Sequence, residues 1–299
     1  MKREIKKCLI WINKLAGSYN KLDEKKIVAV FGKGYDVHIK YLQKKGELLG
    51  DITGFSRVVG CGGDGTLSTL LNTPNTEDCE LVFCPFGTMN EKFKGAKKSV
   101  FCFDKLGIAG EKAFSYVLAA GSFTPLGYQV KSKIKKRLKA IAYLSQVLKE
   151  YKVACIEAEI VLDDIDYADK YSLIMVIDSP RCFGFKFNRL FVPNSPDMHL
   201  LLIRSPGEDT LKNRFKMFWP FFRAFFIGFN KEFENEDILF KPFTKMDIKL
   251  NNTEIFCQDG ERLEFKEGTY NIKRTKLNPG VTIYSRGTIR KLHRLKAFI

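Results

Sequence analysis

Short apolar runs alternate with stretches of helical periodicity along residues 1–122 of the chain. This alternation is typical of a parallel sheet covered by helices, so it predicts an α/β domain over these residues. The predicted strands are residues 8–12, 27–31, 57–61 and 81–85, and the predicted helices are residues 37–43 and 66–72.

The pattern changes after residue 122. A basic segment, residues 131–151, has apolar residues at helical spacing, and strand-like runs separated by turn residues follow it. This predicts a mostly antiparallel β-sandwich domain over residues 123–279, with a tail, residues 280–299, that can pack back on the first domain. The strand-like runs are residues 156–162, 172–177, 200–204, 246–250, 254–257 and 270–273.

Three loops of the first domain each follow a predicted strand directly: residues 13–17, 62–66 and 86–90. Ligands of open parallel sheets bind beyond the carboxyl ends of the strands. We therefore expect the three loops to gather at one edge of the sheet.

The second of these loops, Gly62-Gly63-Asp64-Gly65-Thr66, surrounds one carboxylate with glycines. Glycine permits positive φ and lets the backbone approach a ligand closely, and successive N–H groups before a helix form an anion cradle. A carboxylate beside phosphate oxygens is repelled unless a cation lies between them. The loop therefore predicts a nucleotide with Mg²⁺, and Asp64 as metal ligand or proton acceptor. An ordinary strand-to-helix turn is the alternative.

Two other loops carry polar side chains at their tips. Thr88 and Asn90 can donate to phosphate or ribose, or they can simply cap a turn. Asp259 and Glu261 flank Gly260, in a pattern that also fits a plain two-residue hairpin turn.

Charge and composition narrow the class of partner. Lys plus Arg is 50 against 34 for Asp plus Glu, a net charge of +16, which favours nucleotide phosphates, an anionic membrane surface or nucleic acid. No nucleic-acid-binding motif accompanies the charge, so we expect no specific nucleic acid. The eight cysteines form no CxxC pair, which indicates free thiols of a reducing compartment, the cytoplasm. No apolar run reaches the roughly 20 residues of a membrane-spanning helix.

Five segments, in this order, resemble the diacylglycerol kinase catalytic-domain family, which includes bacterial soluble lipid kinases and the sphingosine and ceramide kinases. Phosphofructokinase and NAD kinase share the glycine motif, but they are not expected to carry all five segments together. The segments are Asn13-Lys14-Leu15-Ala16-Gly17, Gly62-Gly63-Asp64-Gly65-Thr66, Pro85-Phe86-Gly87-Thr88-Met89-Asn90, Lys135-Lys136-Arg137-Leu138 through Ala142-Tyr143-Leu144, and Asp259-Gly260-Glu261.

The resemblance implies that ATP lies in a cleft between the α/β domain and the β-sandwich domain. It implies that Glu261, with Asp259, accepts the proton of a lipid hydroxyl or helps to hold Mg²⁺, and that Asp64 is catalytic. Asp64 and Asp197 are the implied metal ligands; Asp197 is the one aspartate left in an acidic segment of the bacterial members. The implied ATP contacts are Asn13, Gly17, Gly62, Gly63, Asp64, Gly65, Thr66, Thr88 and Asn90.

The expected function is that of an ATP- and Mg²⁺-dependent lipid kinase of phospholipid metabolism, which phosphorylates a hydroxyl of a diacylglycerol- or sphingoid-type lipid. We expect it to be cytoplasmic and peripheral to the membrane, with anionic lipids as partners and an oligomer as an open option. A soluble-substrate kinase resembling NAD kinase is one alternative. A family member that binds nucleotide or lipid without turnover is another, because Lys14 and Ala16 replace the family's proline and serine.

An unusually aromatic segment, residues 215–227, lies among several cations. It predicts either a helix packed against the β domain or an interfacial segment that enters a membrane or lines an acyl pocket.

Overall fold

The structure of the chain is a computed structural model that describes residues 5–44, 47–88, 90–96, 100–122, 124 and 152–296. The chain forms two compact units. Unit 1 comprises Met1–Lys105 and Lys276–Ile299, and unit 2 comprises Leu106–Thr275. The predicted basic helix at residues 131–151, with its lysine-rich family segment, lies outside the described residues.

Strands make up most of the described chain, and helices cover parts of them. The described strands are β1 (Lys7–Asn13), β2 (Asp36–Leu42), β3 (Phe55–Gly62), β4 (Glu80–Pro85), β5 (Val100–Ala109), β6 (Lys112–Phe114), β7 (Val117–Gly121), β8 (Ile156–Leu162), β9 (Ile165–Ile177), β10 (Met198–Arg204), β11 (Phe233–Glu234), β12 (Ile238–Phe243), β13 (Lys245–Leu250), β14 (Glu254–Gln258), β15 (Glu261–Phe265) and β16 (Gly268–Tyr284). The described helices are α1 (Glu24–Phe31), α2 (Asp64–Leu71), α3 (Glu91–Ala96), α4 (Leu211–Phe222) and α5 (Arg286–Lys296), with a 3₁₀ turn at Tyr19–Lys21 and a π-helical turn at Arg223–Ile227.

The sheet of unit 1 is parallel, in the order β2-β1-β3-β4, and the end of β16 adds a further parallel strand beside β4. Strands β1, β3 and β4 carry apolar side chains that are buried on both faces, as a sheet covered by helices requires. The predicted strands at residues 8–12, 57–61 and 81–85 and the predicted helix at residues 66–72 are confirmed as β1, β3, β4 and α2.

Two predicted elements of unit 1 are wrong, and they have exchanged types. Residues 27–31 form the end of helix α1, because the Asp23 side chain accepts the Lys26 N–H and caps the helix. The buried residues Ile27, Val30 and Phe31 recur at helical spacing, which a short apolar run hides. Residues 37–43 lie almost entirely in strand β2, which pairs with β1 along its whole length.

Unit 2 is built on antiparallel pairs around the long strand β9. One edge of β9 pairs with β10, and its other edge pairs first with β8 and then with β7. Strand β12 pairs with β10, β13 lies between β8 and the first part of β16, and β14 joins β7 to β15. All the strand-like runs predicted after residue 155 are confirmed as parts of these strands.

Both faces of the central strands of unit 2 are buried. Along β9, Ile174 and Val176 enter one hydrophobic cluster, while Leu173, Met175 and Ile177 enter another, beneath α4. This is the period-2 alternation of a strand with apolar layers on both sides. The chain thus has a mixed α/β, sheet-rich fold. None of the described helices is both long and apolar enough to cross a membrane.

Candidate functional site

The three loops at the carboxyl ends of β1, β3 and β4 contact one another in unit 1. Asn13 Nδ2 donates to Thr66 Oγ1 over 2.8 Å, which joins the first loop to the second. The Ser18 N–H donates to the Phe86 carbonyl over 2.8 Å, and the Gly87 N–H donates to the Gly62 carbonyl over 2.8 Å. Each loop is therefore bonded to both of the others, and the expected gathering of the loops is confirmed.

Close backbone approach explains the glycines of the second and third loops. A Cβ on Gly87 would lie 2.3 Å from the Gly63 Cα, and a Cβ on Gly63 would lie 3.1 Å from the Gly87 Cα. The loop does not use the positive φ that glycine permits: Gly63 has φ −105°, and Gly62 and Gly65 are not among the described glycines with positive φ. These glycines leave room for neighbouring groups and do not serve to turn the chain.

Two further glycines make room for the threonines that follow. A Cβ on Gly17 would lie 2.0 Å from Thr88 Oγ1, and a Cβ on Gly62 would lie 2.1 Å from Thr66 Oγ1. The predicted ATP contacts Gly17 and Thr88, which are far apart in sequence, are therefore immediate neighbours.

The start of helix α2 has the properties of an anion site. Its N-cap residue, Gly63, offers no side chain to accept the first N–H groups of the helix. Uncapped N–H groups at a helix N-terminus, together with the helix dipole, bind anions. Asp64 is the first residue of this helix, and its Oδ1 accepts the Glu91 N–H over 2.8 Å, so it also fastens the start of α3.

Asp64 is the one acidic residue of the three loops. No group of three or more His, Cys, Asp or Glu side chains that could hold a metal occurs in the part of the chain that the structure describes. Mg²⁺ is usually held by one or two carboxylates together with water and substrate phosphates. A single protein carboxylate such as Asp64 fits this mode of Mg²⁺ binding.

Asn90 holds the third loop in shape. Its side-chain Oδ1 accepts the Gly87 N–H over 3.1 Å, and its Nδ2 donates to the Gly87 carbonyl over 3.0 Å. The residue is buried and has φ +49°. Asn90 thus supports the approach of Gly87 to Gly63, while Thr88 stays half-buried at the tip.

Lys14 fits the first loop in a way that the family's proline would not. Its N–H donates to the Leu42 carbonyl over 3.1 Å, and proline has no N–H to give. Its ammonium group lies 3.9 Å from the centre of the Tyr41 ring. The substitution therefore fastens the first loop to the end of β2.

Asp259 and Glu261 belong to unit 2, at the turn between β14 and β15. Gln258 pairs with Glu261, and the two residues between them, Asp259 and Gly260, have φ +50° and +92°. This is a two-residue hairpin with both φ angles positive, as in a type I′ turn. Glu261 is exposed at its end.

The carboxylate of Asp259 is buried and accepts backbone N–H groups. Its donors are Ser115 at 2.5 Å, Tyr116 at 3.0 Å and Val117 at 3.1 Å. Burial raises the pKa of Asp259, and these three donors oppose the rise. Asp259 thus anchors the hairpin turn within unit 2, whereas the carboxylate of Glu261 is accessible.

Asp197 lies in the loop before β10 and takes part in a local network of unit 2. Its Oδ2 accepts the Ser195 hydroxyl over 3.2 Å, and its carbonyl accepts Arg274 Nη1 over 2.7 Å. Arg274 also pairs with the fully buried Asp178 over 2.6 Å. The Arg274 guanidinium thus joins the backbone of Asp197 to the carboxylate of Asp178.

A cavity of about 250 Å³ in unit 1 borders the third loop at Phe86. Arg286 and Arg290 line it, and the Arg286 guanidinium lies 5.4 Å from the centre of the Phe86 ring. Burial, together with the nearby Arg290, lowers the pKa of Arg286. Lys26 also lines the cavity and pairs with Asp23. Sequence reasoning missed these arginines, because the sequence shows them only as two basic residues spaced i, i+4 in a basic tail.

The part of the chain that carries these loops is similar to a known protein family. Residues 7–101, which contain all three loops, match a family model described as diacylglycerol kinase catalytic domain. No curated protein matches the chain.

Crystal structures of two proteins from Bacillus anthracis strain Sterne share the fold. One protein, assigned provisionally as a diacylglycerol kinase, is 17% identical, with a TM-score of 0.67, and the match covers 96% of this chain and 100% of that one. The other, described as a diacylglycerol kinase, is 15% identical, with a TM-score of 0.59 and the same coverage. The match over residues 7–101, together with this fold, confirms the resemblance of the chain to the diacylglycerol kinase catalytic-domain family.

Proposed function

We propose that the chain is an ATP- and Mg²⁺-dependent kinase that transfers the γ-phosphate to a hydroxyl group of a diacylglycerol- or sphingoid-type lipid. The observation that carries the proposal is the meeting of three loops around the uncapped start of α2, with the Asp64 carboxylate beside it. The family match over the same loops supports a kinase.

In this proposal the second and third loops hold the phosphate chain of ATP. The close contact of Gly63 with Gly87 keeps the backbone bare of side chains where phosphates would approach. Asn13 and Thr66, already bonded to each other, complete the polar lining. Mg²⁺, bound with ATP, would be held by Asp64 and would neutralise charge on the transferred phosphate.

Glu261 is the proposed proton acceptor for the lipid hydroxyl, since it is exposed whereas Asp259 is buried under three N–H donors. Phosphoryl transfer requires mainly alignment and charge neutralisation, and a carboxylate need take the proton only late. Asp259 is then a positioning residue for the hairpin that carries Glu261. Following the family resemblance, we assign the reaction to a cleft between a nucleotide-binding domain and a β-sandwich domain.

The proposed setting is the cytoplasmic face of a membrane that contains anionic lipid. A net charge of +16 favours such a surface, and the lipid substrate would reside in it. We propose no specific nucleic acid as a partner. An oligomer remains compatible with the proposal.

The test is a phosphorylation assay with γ-labelled ATP, Mg²⁺ and separate acceptors: diacylglycerol, monoacylglycerol, a sphingoid base, ceramide and NAD. We expect labelled lipid, and a loss of about 100-fold or more in Asp64→Asn and in Glu261→Gln. The matched control is Glu236→Gln, which removes an exposed carboxylate elsewhere in unit 2 and should leave the rate unchanged.

Each alternative has its own result in this assay. Labelled NAD without labelled lipid would indicate a soluble-substrate kinase. Mg·ATP binding in calorimetry without any labelled product would indicate a protein that binds without turnover. Full activity of Glu261→Gln would remove its role as proton acceptor, and the absence of any Mg·ATP binding would overturn the kinase proposal.

A further inference from the structure

Helix α4 of unit 2 is apolar on two faces. Met217 and Phe221 belong to the hydrophobic cluster beneath the helix, Pro220 is also buried, and Ala224 continues this face into the π-helical turn. This buried face accounts for the fold of the helix. It does not account for the aromatic residues on the opposite face.

The opposite face forms what we name the outer stripe. Phe215 is 81% exposed and Trp219 is 57% exposed, although Met217 and Pro220 of the same helix are buried. The rings of Phe218 and Trp219 each stack on Phe222 with centroids 5.9 Å apart, and Phe222 stacks on Phe226 at 5.2 Å. The outer stripe consists of Leu211, Phe215, Phe218, Trp219, Phe222, Phe226 and Ile227.

The charged residues within α4 and the π-helical turn are all cationic. No Asp or Glu occurs between residues 210 and 231, whereas Lys212 and Lys216 are exposed within the helix. The two arginines of the segment are held internally: Arg214 pairs with Asp209, and Arg223 bonds to the Gly228 carbonyl and lies over Phe229. The lysines are therefore the cations that face outward.

We propose that the outer stripe is a docking surface for an anionic lipid bilayer, with α4 lying in the plane of the interface. Aromatic rings partition to the depth of the headgroups and upper acyl chains, and flanking lysines reach the phosphates. The charge selects this occupant, because a contiguous exposed apolar face on a helix that carries cations and no acids complements a negatively charged lipid surface. The inference rests on the proposed function in one respect: a bilayer is where a lipid substrate resides.

Trp219 provides a built-in probe of this docking. The chain has two tryptophans, and the other, Trp11, is fully buried in the sheet of unit 1. The full-length protein is mixed, without ATP, with vesicles of phosphatidylcholine and phosphatidylglycerol in equal parts. We expect the tryptophan emission to shift to the blue and to be quenched by brominated acyl chains, and we expect Trp219→Phe to abolish both changes while the protein still sediments with the vesicles.

Matched substitutions separate the apolar and the ionic contributions. The double variant Phe215→Ser with Phe218→Ser should lower vesicle partitioning by about tenfold or more. The control, Ile165→Ser with Val192→Ser, removes comparably exposed apolar side chains from unit 2 and should bind as the unchanged protein does. Lys212→Gln with Lys216→Gln should weaken binding to the anionic vesicles about tenfold and leave the weak binding to pure phosphatidylcholine unchanged.

Several results would overturn the docking surface. One is that the Phe215→Ser, Phe218→Ser variant binds vesicles as strongly as the control variant does. Another is that brominated lipid does not quench the tryptophan emission. A third is that the emission of Trp219 shifts with protein concentration when no vesicles are present. The last would indicate a second copy on the stripe. Phosphorylation of a soluble short-chain diacylglycerol or a short-chain sphingoid base tests the kinase separately, since neither substrate needs a bilayer. Docking without phosphorylation would refute the kinase alone, and phosphorylation without docking would refute the docking surface alone.

Discussion

Gly63 and Gly87 lie back to back where the second and third loops of unit 1 meet. Neither residue needs glycine for its φ angle; each needs it because the other backbone leaves no room for a Cβ. Asn90 closes the arrangement with two hydrogen bonds to the backbone of Gly87. The shape of the candidate phosphate site is therefore set by the absence of side chains.

Gly87→Ala should disrupt this contact. The new Cβ would lie 2.3 Å from the Gly63 Cα and 2.6 Å from Asn90 Oδ1, so backbone must move. We expect the free energy of unfolding to fall by about 1–3 kcal/mol and the affinity for Mg·ATP to fall in parallel. Urea unfolding and calorimetry measure the two quantities.

The control for this substitution is Gly287→Ala in helix α5. Its new Cβ would have no neighbour closer than Ser285 Oγ at 3.7 Å, and alanine is favoured over glycine in helices. This variant should be as stable as the unchanged protein or more stable by up to about 1 kcal/mol. Unchanged Mg·ATP binding by Gly87→Ala would show that the loop contact does not shape the nucleotide site.

The sequence predicts which residues lie at the candidate site better than it predicts the role of each one. A glycine motif shows where side chains are absent, but not whether the reason is a φ angle or a neighbour elsewhere in the chain, such as Gly87 beside Gly63. In the same way, the sequence shows Asp259 and Glu261 only as two neighbouring acidic residues. Only the fold shows that the Asp259 carboxylate accepts hydrogen bonds from the backbone N–H groups of Ser115, Tyr116 and Val117.

At the scale of elements, local patterns fail where a helix and a strand are both short. Residues 27–31 are rich in β-branched and aromatic side chains, yet they end a helix because Asp23 caps its start. Strand β2 has few fully buried side chains, and pairing with β1 stabilises it. Elements with a continuous apolar pattern could be predicted closely. Examples are β3, which leads directly into α2, and β8, whose buried and exposed residues alternate.

Helix α4 depends on an anchor at its start. Asp209 forms a two-point pair with Arg214, with distances of 2.7 and 2.5 Å, and accepts the Val153 N–H over 2.9 Å. These contacts, led by Arg214, lower the pKa of Asp209 to about 2. The anchor holds the start of the helix that carries the outer stripe.

Asp209→Asn should therefore destabilise unit 2 in a pH-dependent way. A carboxyl whose pKa is lower in the folded state contributes stability above its unfolded pKa, about 4, and loses it as the pH falls toward about 2. We expect the variant to be less stable by about 1 kcal/mol at neutral pH, a modest value because the pair is partly open to water, and the difference to vanish near pH 2. Urea unfolding across this range checks it. The neighbouring Glu208→Gln should change nothing, and an equal loss at every pH would contradict the ionic anchor.

At the scale of the whole molecule, unit 1 is assembled from both ends of the chain. The family match ends at residue 101, but the compact unit includes residues 276–299. Residues 281–283 of β16 pair with β4, and Ile289 of α5 joins the cluster of Ile27 and Phe31. The prediction that residues 280–299 can pack back on the first domain names no contacts, because the tail carries no motif.

The tail should accordingly control the stability of the nucleotide-binding unit. Ile289 is 3% exposed and Leu295, in the same helix, is 62% exposed. Ile289→Ser leaves a cavity and a buried hydroxyl, so we expect unit 1 to lose about 2–4 kcal/mol, whereas Leu295→Ser should stay within about 0.5 kcal/mol of the unchanged protein. In a Trp219→Phe background, emission from Trp11 in β1 reports the unfolding of unit 1 alone. Equal unfolding midpoints for the two serine variants would mean that the tail merely rests on a unit that residues 1–105 stabilise by themselves.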